Sequence, residues 1–293
     1  MIVTVTLNPA LDLTYTVDAL VPHGTHRVGA VAERAGGKGL NVARVLHAAG
    51  EPVLATGLLG GGTGARVAAL LEQDGLAASF AAIAGETRRT VAVADTEDAT
   101  GFWEPGPVVS AVEWETFVKH YTGLLAGARV VTLCGSLPPG LPADAYATLI
   151  RLAAATGART ILDTSGDALR HGLAAGPDVA KPNADELAAL IHGEQAGARS
   201  LVTSRGAEGL RAVTPDGTWH AVPPQRLSGN PTGAGDACVA ALARGLRDGT
   251  AWPALLADAV ALSAAAVVAP VAGAVDQDTY RRTRPGVIVT EEH

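Results

Sequence analysis

Short apolar runs alternate along the chain with stretches whose apolar positions recur every three or four residues. Ile2 to Leu7, Val53 to Leu59, Val130 to Leu133, Thr160 to Leu162, Val179 to Lys181 and Leu201 to Thr203 read as strands. Leu40 to Ala49, Gly64 to Gln73, Ala143 to Thr156, Asp185 to Ile191 and Asp236 to Arg247 carry the helical period between them. The alternation predicts an α/β chain with a mostly parallel sheet covered by helices, whose ligands sit at the carboxyl ends of the strands. Leu13 to Glu33 and Thr90 to Trp103 alternate without helical period and predict a small antiparallel sheet outside the main one. The most apolar stretch, Leu255 to Ala272, is interrupted by Asp258 and Pro270 and falls short of the ~20 clean apolar residues of a membrane span, so it predicts a buried helix. No repeat or linker divides the chain. The expected organisation is one domain over residues 1–293, with a lid formed by residues 11–35 and 88–106.

Composition narrows the function classes. Hydrophobic residues make up 48% of the 293 positions and there are 35 glycines, which suits a compact enzyme with many tight turns. A net charge of −7 without a basic run argues against nucleic acid or an anionic membrane as partner, so any anionic ligand has to be held by local groups. Cys134 and Cys238 form neither a CxxC nor a metal spacing; buried small side chains in a reducing cytoplasm are the expectation. Met1 to Leu7 alternates like a strand and lacks the basic start of a signal peptide.

The chemistry concentrates where strands end. Ser228 to Cys238 reads SGNPTGAGDAC, a small-residue loop turning into a helix at Gly235 or Asp236. Unpaired N–H groups and the helix dipole there suit an anion. Asp236 reads either as a helix cap or as a general base beside a phosphate cradle. Asp12 follows the first strand as either a surface charge or a site residue. Ala35 to Asn41 only superficially resembles a Walker A loop, because Gly39 follows Lys38 where Ser or Thr is required. Lys38 and Lys181 are two of only three lysines in a chain that otherwise uses arginine, which suggests compact ammonium groups close to an anion. Ser136 is a turn hydroxyl or a substrate contact. Asp163-Thr164-Ser165-Gly166 follows a strand and reads as a cap for the helix beginning near Asp167. Asn183 with Glu186 reads first as a capping box and alternatively as a pair holding metal-bound water.

Taken in register, these pieces resemble the PfkB, or ribokinase-like, family of carbohydrate kinases, and within it the 1-phosphofructokinase and tagatose-6-phosphate kinase subgroup. The matching motifs are TLNPALD from Thr6, AGGKGLNVARVL from Ala35, GETR from Gly85, EPGP from Glu104, GSLPPG from Gly135, DTSG from Asp163, KPNADE from Lys181, SRGAEG from Ser204 and GAGD from Gly233. The resemblance implies a three-layer α/β/α ribokinase-like fold with a small β-sheet lid, and a cytoplasmic enzyme using ATP and Mg²⁺. It implies that Asp236 takes the proton of the acceptor hydroxyl while the N–H groups of Gly233, Ala234 and Gly235 form an anion hole. Asp12, Gly36, Gly37, Gly39, Asn41 and Ser136 would hold the sugar, and Lys38 and Arg88 its existing phosphate. Lys181, Asn183, Ser204, Gly206, Gly209, Gly233 and Gly235 would border ATP, with Glu186 reaching the metal through water. The substrate implied is fructose 1-phosphate, giving the 1,6-bisphosphate. The alternatives are tagatose 6-phosphate, a non-phosphorylated sugar or nucleoside, and a non-catalytic sugar-phosphate-binding regulator. A homodimer through the lid is the partner expectation. Three departures bear on this reading. Thr90 and Trp103 stand where the subgroup usually has Asn, Cys134 stands where Ser is common, and His192 to Arg199 is short where the family has room for another helix.

Overall fold

The computed structural model describes residues 1–190 and 197–292. The end of the expected helix at Ile191 and most of the His192 to Arg199 connection lie outside the described residues. Elsewhere the expected α/β architecture is present, with a large sheet, helices on both of its faces, and a small separate sheet.

In spatial order the large sheet runs β14 (Ile288–Glu292), β13 (Gly217–Val222), β12 (Leu210–Thr214), β11 (Ser200–Ser204), β10 (Val179–Ala180), β9 (Arg159–Asp163), β8 (Val130–Cys134), β1 (Ile2–Thr6), β4 (Val53–Gly60) and β5 (Ala78–Ile83). From β11 to β5 every pairing is parallel, while β12 to β14 continue the sheet as an antiparallel meander. Strands β1 and β8 are buried along their whole length, and apart from Thr4, Thr6 and Thr132 their residues are apolar. Helices α1 (Lys38–Ala48), α2 (Gly61–Gln73), α7 (Ala234–Asp248) and α8 (Trp252–Val267) pack into one core. Helices α3 (Ala111–Leu124), α4 (Ala145–Ala155) and α5 (Gly166–Ala174) pack into a second core on the opposite face. The short helices α6 (Ala184–Ala188) and α9 (Gln277–Thr283) complete the described set.

Helix α8 is the buried helix expected from the apolar stretch, but it begins earlier and stops at Val267, short of Pro270, which cannot continue a helix. No helix among the described residues is long and apolar enough to cross a membrane.

The small sheet runs β3 (Ala30–Gly36), β2 (Ala10–Thr16), β6 (Arg88–Ala94) and β7 (Ala99–Trp103). Its outer pairings are antiparallel, as expected, but the central β2–β6 pairing is parallel. The reason is topological. Strand β2 leaves β1 and strand β6 follows β5, and both leave the same edge of the main sheet in the same sense.

Candidate active site

Because β1, β8, β9, β10 and β11 are parallel, the residues that follow them emerge along one sheet edge: Asn8, Ser136, Asp163, Lys181 and Ser204. Helix α7 packs across this edge with its first turn over it. Gly233 caps α7 at φ +91°, and a Cβ there would stand 2.9 Å from Ala272 Cα, so the turn requires glycine on both counts. The Ala234 N–H donates to the Pro231 carbonyl at 3.1 Å and is spent on the turn. Among the described residues the N–H groups of Gly233, Gly235 and Asp236 have no such partner, and they are the donors free to meet an anion.

Asp236 sits in that first turn, 6% exposed, with its Oδ2 accepting a 2.9 Å hydrogen bond from Asn41 Nδ2 on α1. Burial raises its pKa to about 7, and the negative charge of Asp163 adds to the rise, while the Asn41 hydrogen bond and the ammonium groups of Lys38 and Lys181 oppose it. A carboxyl group poised near neutrality can take up a proton and release it again. The Asp236 side chain faces inward to Asn41, and among the described residues no side chain caps α7.

Asp163, the last residue of β9, is almost fully buried, and its Oδ1 lies 3.2 Å from Lys181 Nζ and 3.6 Å from Lys38 Nζ. Both contacts are ion pairs, and among the described residues Asp163 Oδ2 has no hydrogen-bond partner. Burial pulls the Lys38 pKa down, but Asp163, Asp236 and Glu186 together leave it raised. Burial pulls the Lys181 pKa down as well, and Asp163, Cys238 and Asp236 together leave it raised. Lys181 Nζ lies under Gly235, 3.4 Å from where a Cβ would stand. Two ammonium groups and two carboxylates thus surround the start of α7. The sequence shows the Asp163 to Gly166 stretch only as a helix cap; a carboxylate at the end of an apolar strand was the available signal for this role.

The Gly36 to Gly39 segment, expected to hold the sugar and hence called the substrate loop, runs from the end of β3 into α1. A Cβ on Gly36 would fall on the Asp12 carboxylate, so this glycine is what lets loop and carboxylate share one place. Burial raises the Asp12 pKa against the opposing influence of the Thr90 hydroxyl and of Arg88, Arg44 and Arg34. Arg88 lies at this end of the site, its Nε donating to the Asn8 carbonyl at 3.2 Å and its Nη1 to the Glu104 carbonyl at 3.1 Å. Asn8 Nδ2 donates to Ser136 Oγ and to the Pro105 carbonyl, tying the TLNPALD, GSLPPG and EPGP motifs together. Lys38 and Arg88, expected to share one phosphate, have different partners. Lys38 belongs with Asp163 and Asp236, Arg88 with Asn8, Asp12 and Glu104.

On the other side of α7 lies a cleft of about 720 Å³. Asn183, Ser204, Gly206, Gly209 and Gly235 line it, while Val260 and Val267 give it an apolar wall. Lys181 does not line it but stands beneath its inner end. Asn183 and Glu186 form a reciprocal capping box, Glu186 Oε2 accepting from the Asn183 N–H at 2.8 Å and Asn183 Oδ1 accepting from the Glu186 N–H at 2.7 Å. Glu186 Oε1 is left over from the cap. Among the described residues no group of three or more His, Cys, Asp or Glu side chains could hold a metal. A divalent ion here would thus have to complete its shell with water and phosphate oxygens, as Mg²⁺ commonly does. Cys134 and Cys238 are both free and buried.

Residues 5–278 match the family described as pfkB family carbohydrate kinase. Among solved structures, phosphofructokinase-2 from Escherichia coli in complex with potassium superposes with a TM-score of 0.89 at 26% identity, covering 97% of this chain and 98% of that one. The same enzyme in complex with fructose-6-phosphate gives 0.88 at 28% identity, with coverage of 97% and 98%. A Thermotoga maritima protein described as a possible 1-phosphofructokinase gives 0.85 at 24% identity over 100% and 99%, a likeness of fold.

Proposed function

The chain belongs to the pfkB family of carbohydrate kinases, and on that premise we propose that it phosphorylates a phosphorylated ketohexose with ATP, converting fructose 1-phosphate to fructose 1,6-bisphosphate. The observation that carries this reading is the buried Asp236, held by Asn41 beside free N–H groups, with the nucleotide-sized cleft on one side and the Asp12 and Arg88 end of the site on the other.

When bound, ATP supplies the phosphoryl group and a divalent ion shields its charge. This chain's residues do the positioning. Asp236 Oδ accepts the proton of the acceptor hydroxyl, and the N–H groups of Gly233 and Gly235 meet the negative charge that spreads over the phosphoryl oxygens. Lys38 and Lys181 add positive charge at the same point, and Asp163 fixes the two ammonium groups there. Asp12, Asn41, the Gly36 to Gly39 loop and Ser136 hold the sugar. Arg88, at the far end, receives its existing phosphate. Asn183, Ser204, Gly206 and Gly209 border the nucleotide, and Glu186 reaches Mg²⁺ through water.

Residues 11–35 and 88–106 act as a lid within a single kinase domain of residues 1–293. Val31, Phe102 and Trp103 are exposed on this small sheet, and that apolar surface supports a homodimer formed through the lid. The E. coli phosphofructokinase-2 has also been described as a tetrameric inhibited form. Two buried free thiols and an ATP-dependent reaction fit the cytoplasm.

The neighbour solved with fructose-6-phosphate favours a second reading in which the existing phosphate is on C6, as in tagatose 6-phosphate. ATP consumption across a panel of phosphorylated ketohexoses, free sugars and nucleosides tests both. Turnover is expected with a phosphorylated ketohexose, and turnover of ribose or adenosine alone overturns the assignment. Loss of turnover in Asp236→Asn with sugar binding retained separates the enzyme from a non-catalytic regulator.

A further inference from the structure

Arg44, in the AGGKGLNVARVL motif, has no part in the roles assigned above. It stands one helical turn after Asn41 on α1 and is only 8% exposed. A guanidinium carries donors only, and buried it must spend them. Nε donates to Asp74 Oδ2 at 3.1 Å, at the C-terminal end of α2. Nη2 donates to the carbonyl of Ala35 at 2.5 Å, the residue before the substrate loop. Nη1 donates to Asn41 Oδ1 at 3.4 Å, and Asn41 Nδ2 in turn donates to Asp236.

This series matters because a primary amide has two unlike ends. Turned one way, Asn41 offers Asp236 a donor; turned the other, it sets a carbonyl oxygen against a carboxylate. Arg44 has nothing to accept with, so it can meet only the oxygen end. Gly273 closes on the same oxygen from another loop. Its φ is +74°, and a Cβ there would stand 2.9 Å from Asn41 Oδ1. The Asn41 amide is therefore held by its oxygen, and the nitrogen is left facing Asp236.

We propose that Arg44 is a positioning residue for phosphoryl transfer: it fixes the orientation of the Asn41 amide, keeps the Asn41 to Asp236 hydrogen bond in place, and ties the start of the substrate loop at Ala35 to the same frame. The proposal rests on the reading of Asp236 as base. The bland account of Arg44 is a buried ion pair to Asp74 that closes α1 against α2, and the two accounts differ in what reaches Asp236. The groups facing Asp236 are Asn41 and Lys38 from α1, Asp163 from β9 and Lys181 from the segment after β10. Only Asn41 is controlled by Arg44 in this scheme, so the other three are constant across the comparison.

The test uses Arg44→Met, Arg44→Lys and Asp74→Asn in the full chain, with two readouts: the acid limb of kcat against pH, and the Asp236 carboxyl titration followed by carbon NMR in sugar-free enzyme. Loss of the hydrogen bond removes one of the influences that hold the Asp236 pKa down. In Arg44→Met both readouts should therefore move up by about one pH unit, which is roughly tenfold in kcat at the low-pH end, while the KM for ATP stays put. Arg44→Lys, with one donor group in place of a three-armed fork, should shift less. Asp74→Asn should lower the melting temperature and leave the titration where it was. If Arg44→Met does not fold, the remaining pair decides. A larger shift in Arg44→Lys than in Asp74→Asn supports the proposal, and equal shifts, or none, overturn it. Should Asp236→Asn retain full turnover, the base assignment fails, yet the NMR titration still reports whether Arg44 governs the Asn41 contact.

Discussion

Replacing Asp236 with asparagine should remove turnover and stabilise the fold at the same time. The carboxyl group is held at a pKa of about 7 against an ordinary value of 3.8, chiefly by burial and next by Asp163. Three pH units correspond to roughly 4 kcal/mol. Because the folded-state pKa is the higher one, the native protein retains a proton that the unfolded chain has already released between pH ~4 and ~7. Stability from this group is therefore full below pH ~4 and is lost as the pH rises through ~7, above which the folded protein carries a buried, desolvated carboxylate. Asparagine has no charge to desolvate, and its oxygen can still accept from Asn41 Nδ2. Urea denaturation at steps from pH 5 to 8.5 should show Asp236→Asn gaining on the wild type as pH rises, by up to roughly 4 kcal/mol at pH 8 and by little near pH 4. A coupled assay of ADP release should show kcat down by ~100-fold or more. A variant no more stable than wild type at pH 8, or a stability difference that does not change with pH, would refute the view that Asp236 is a strained, functionally retained charge.

Other sites give independent checks. Lys181→Met leaves the Asp163 charge buried with only the half-exposed Lys38 beside it, so the fold should lose about 3–5 kcal/mol in chemical denaturation; an unchanged stability would refute the view that the Lys181–Asp163 pair holds this part of the fold. Gly233→Ala meets both a positive φ and the Ala272 backbone, and kcat should fall by at least ~10-fold while the KM for sugar is kept, as read from initial rates. Arg88→Gln should raise the KM for the phosphorylated ketohexose by ~10-fold or more with a smaller change in kcat. An unchanged KM would move the phosphate-receiving role to another residue.

What could be read in the sequence was local. Strands such as Ile2–Thr6 and Val130–Cys134 are short, uncharged and rich in β-branched residues, which announces buried strands, and the motif residues at their ends had to share one edge. Less visible elements had weaker or unread signals. Strand β5 is rich in alanine, which favours no strand. Helix α3 starts with a Ser110 to Glu113 capping box that the period alone did not bring out, and the Pro215-Asp216-Gly217 turn joining β12 to β13 marked a hairpin. Pairings between distant segments left no local trace. The parallel match of β2 with β6, the ion pairs of Asp163 with Lys38 and Lys181, and the hydrogen bond from Asn41 to Asp236 join residues far apart in the chain. Asp236 shows the limit plainly: its helix position could be read locally, but its inward aim depends on Asn41 of α1, and its raised pKa on burial and on Asp163 of β9.

A crystal structure with fructose 1-phosphate and a non-hydrolysable ATP analogue tests the central claim most directly. The account predicts the C6 hydroxyl within hydrogen-bond distance of Asp236, the γ-phosphate against the N–H groups of Gly233 and Gly235, and the sugar's own phosphate on Arg88. A sugar bound with no hydroxyl near Asp236, or with its phosphate at the start of α7 in place of the nucleotide's, would contradict it.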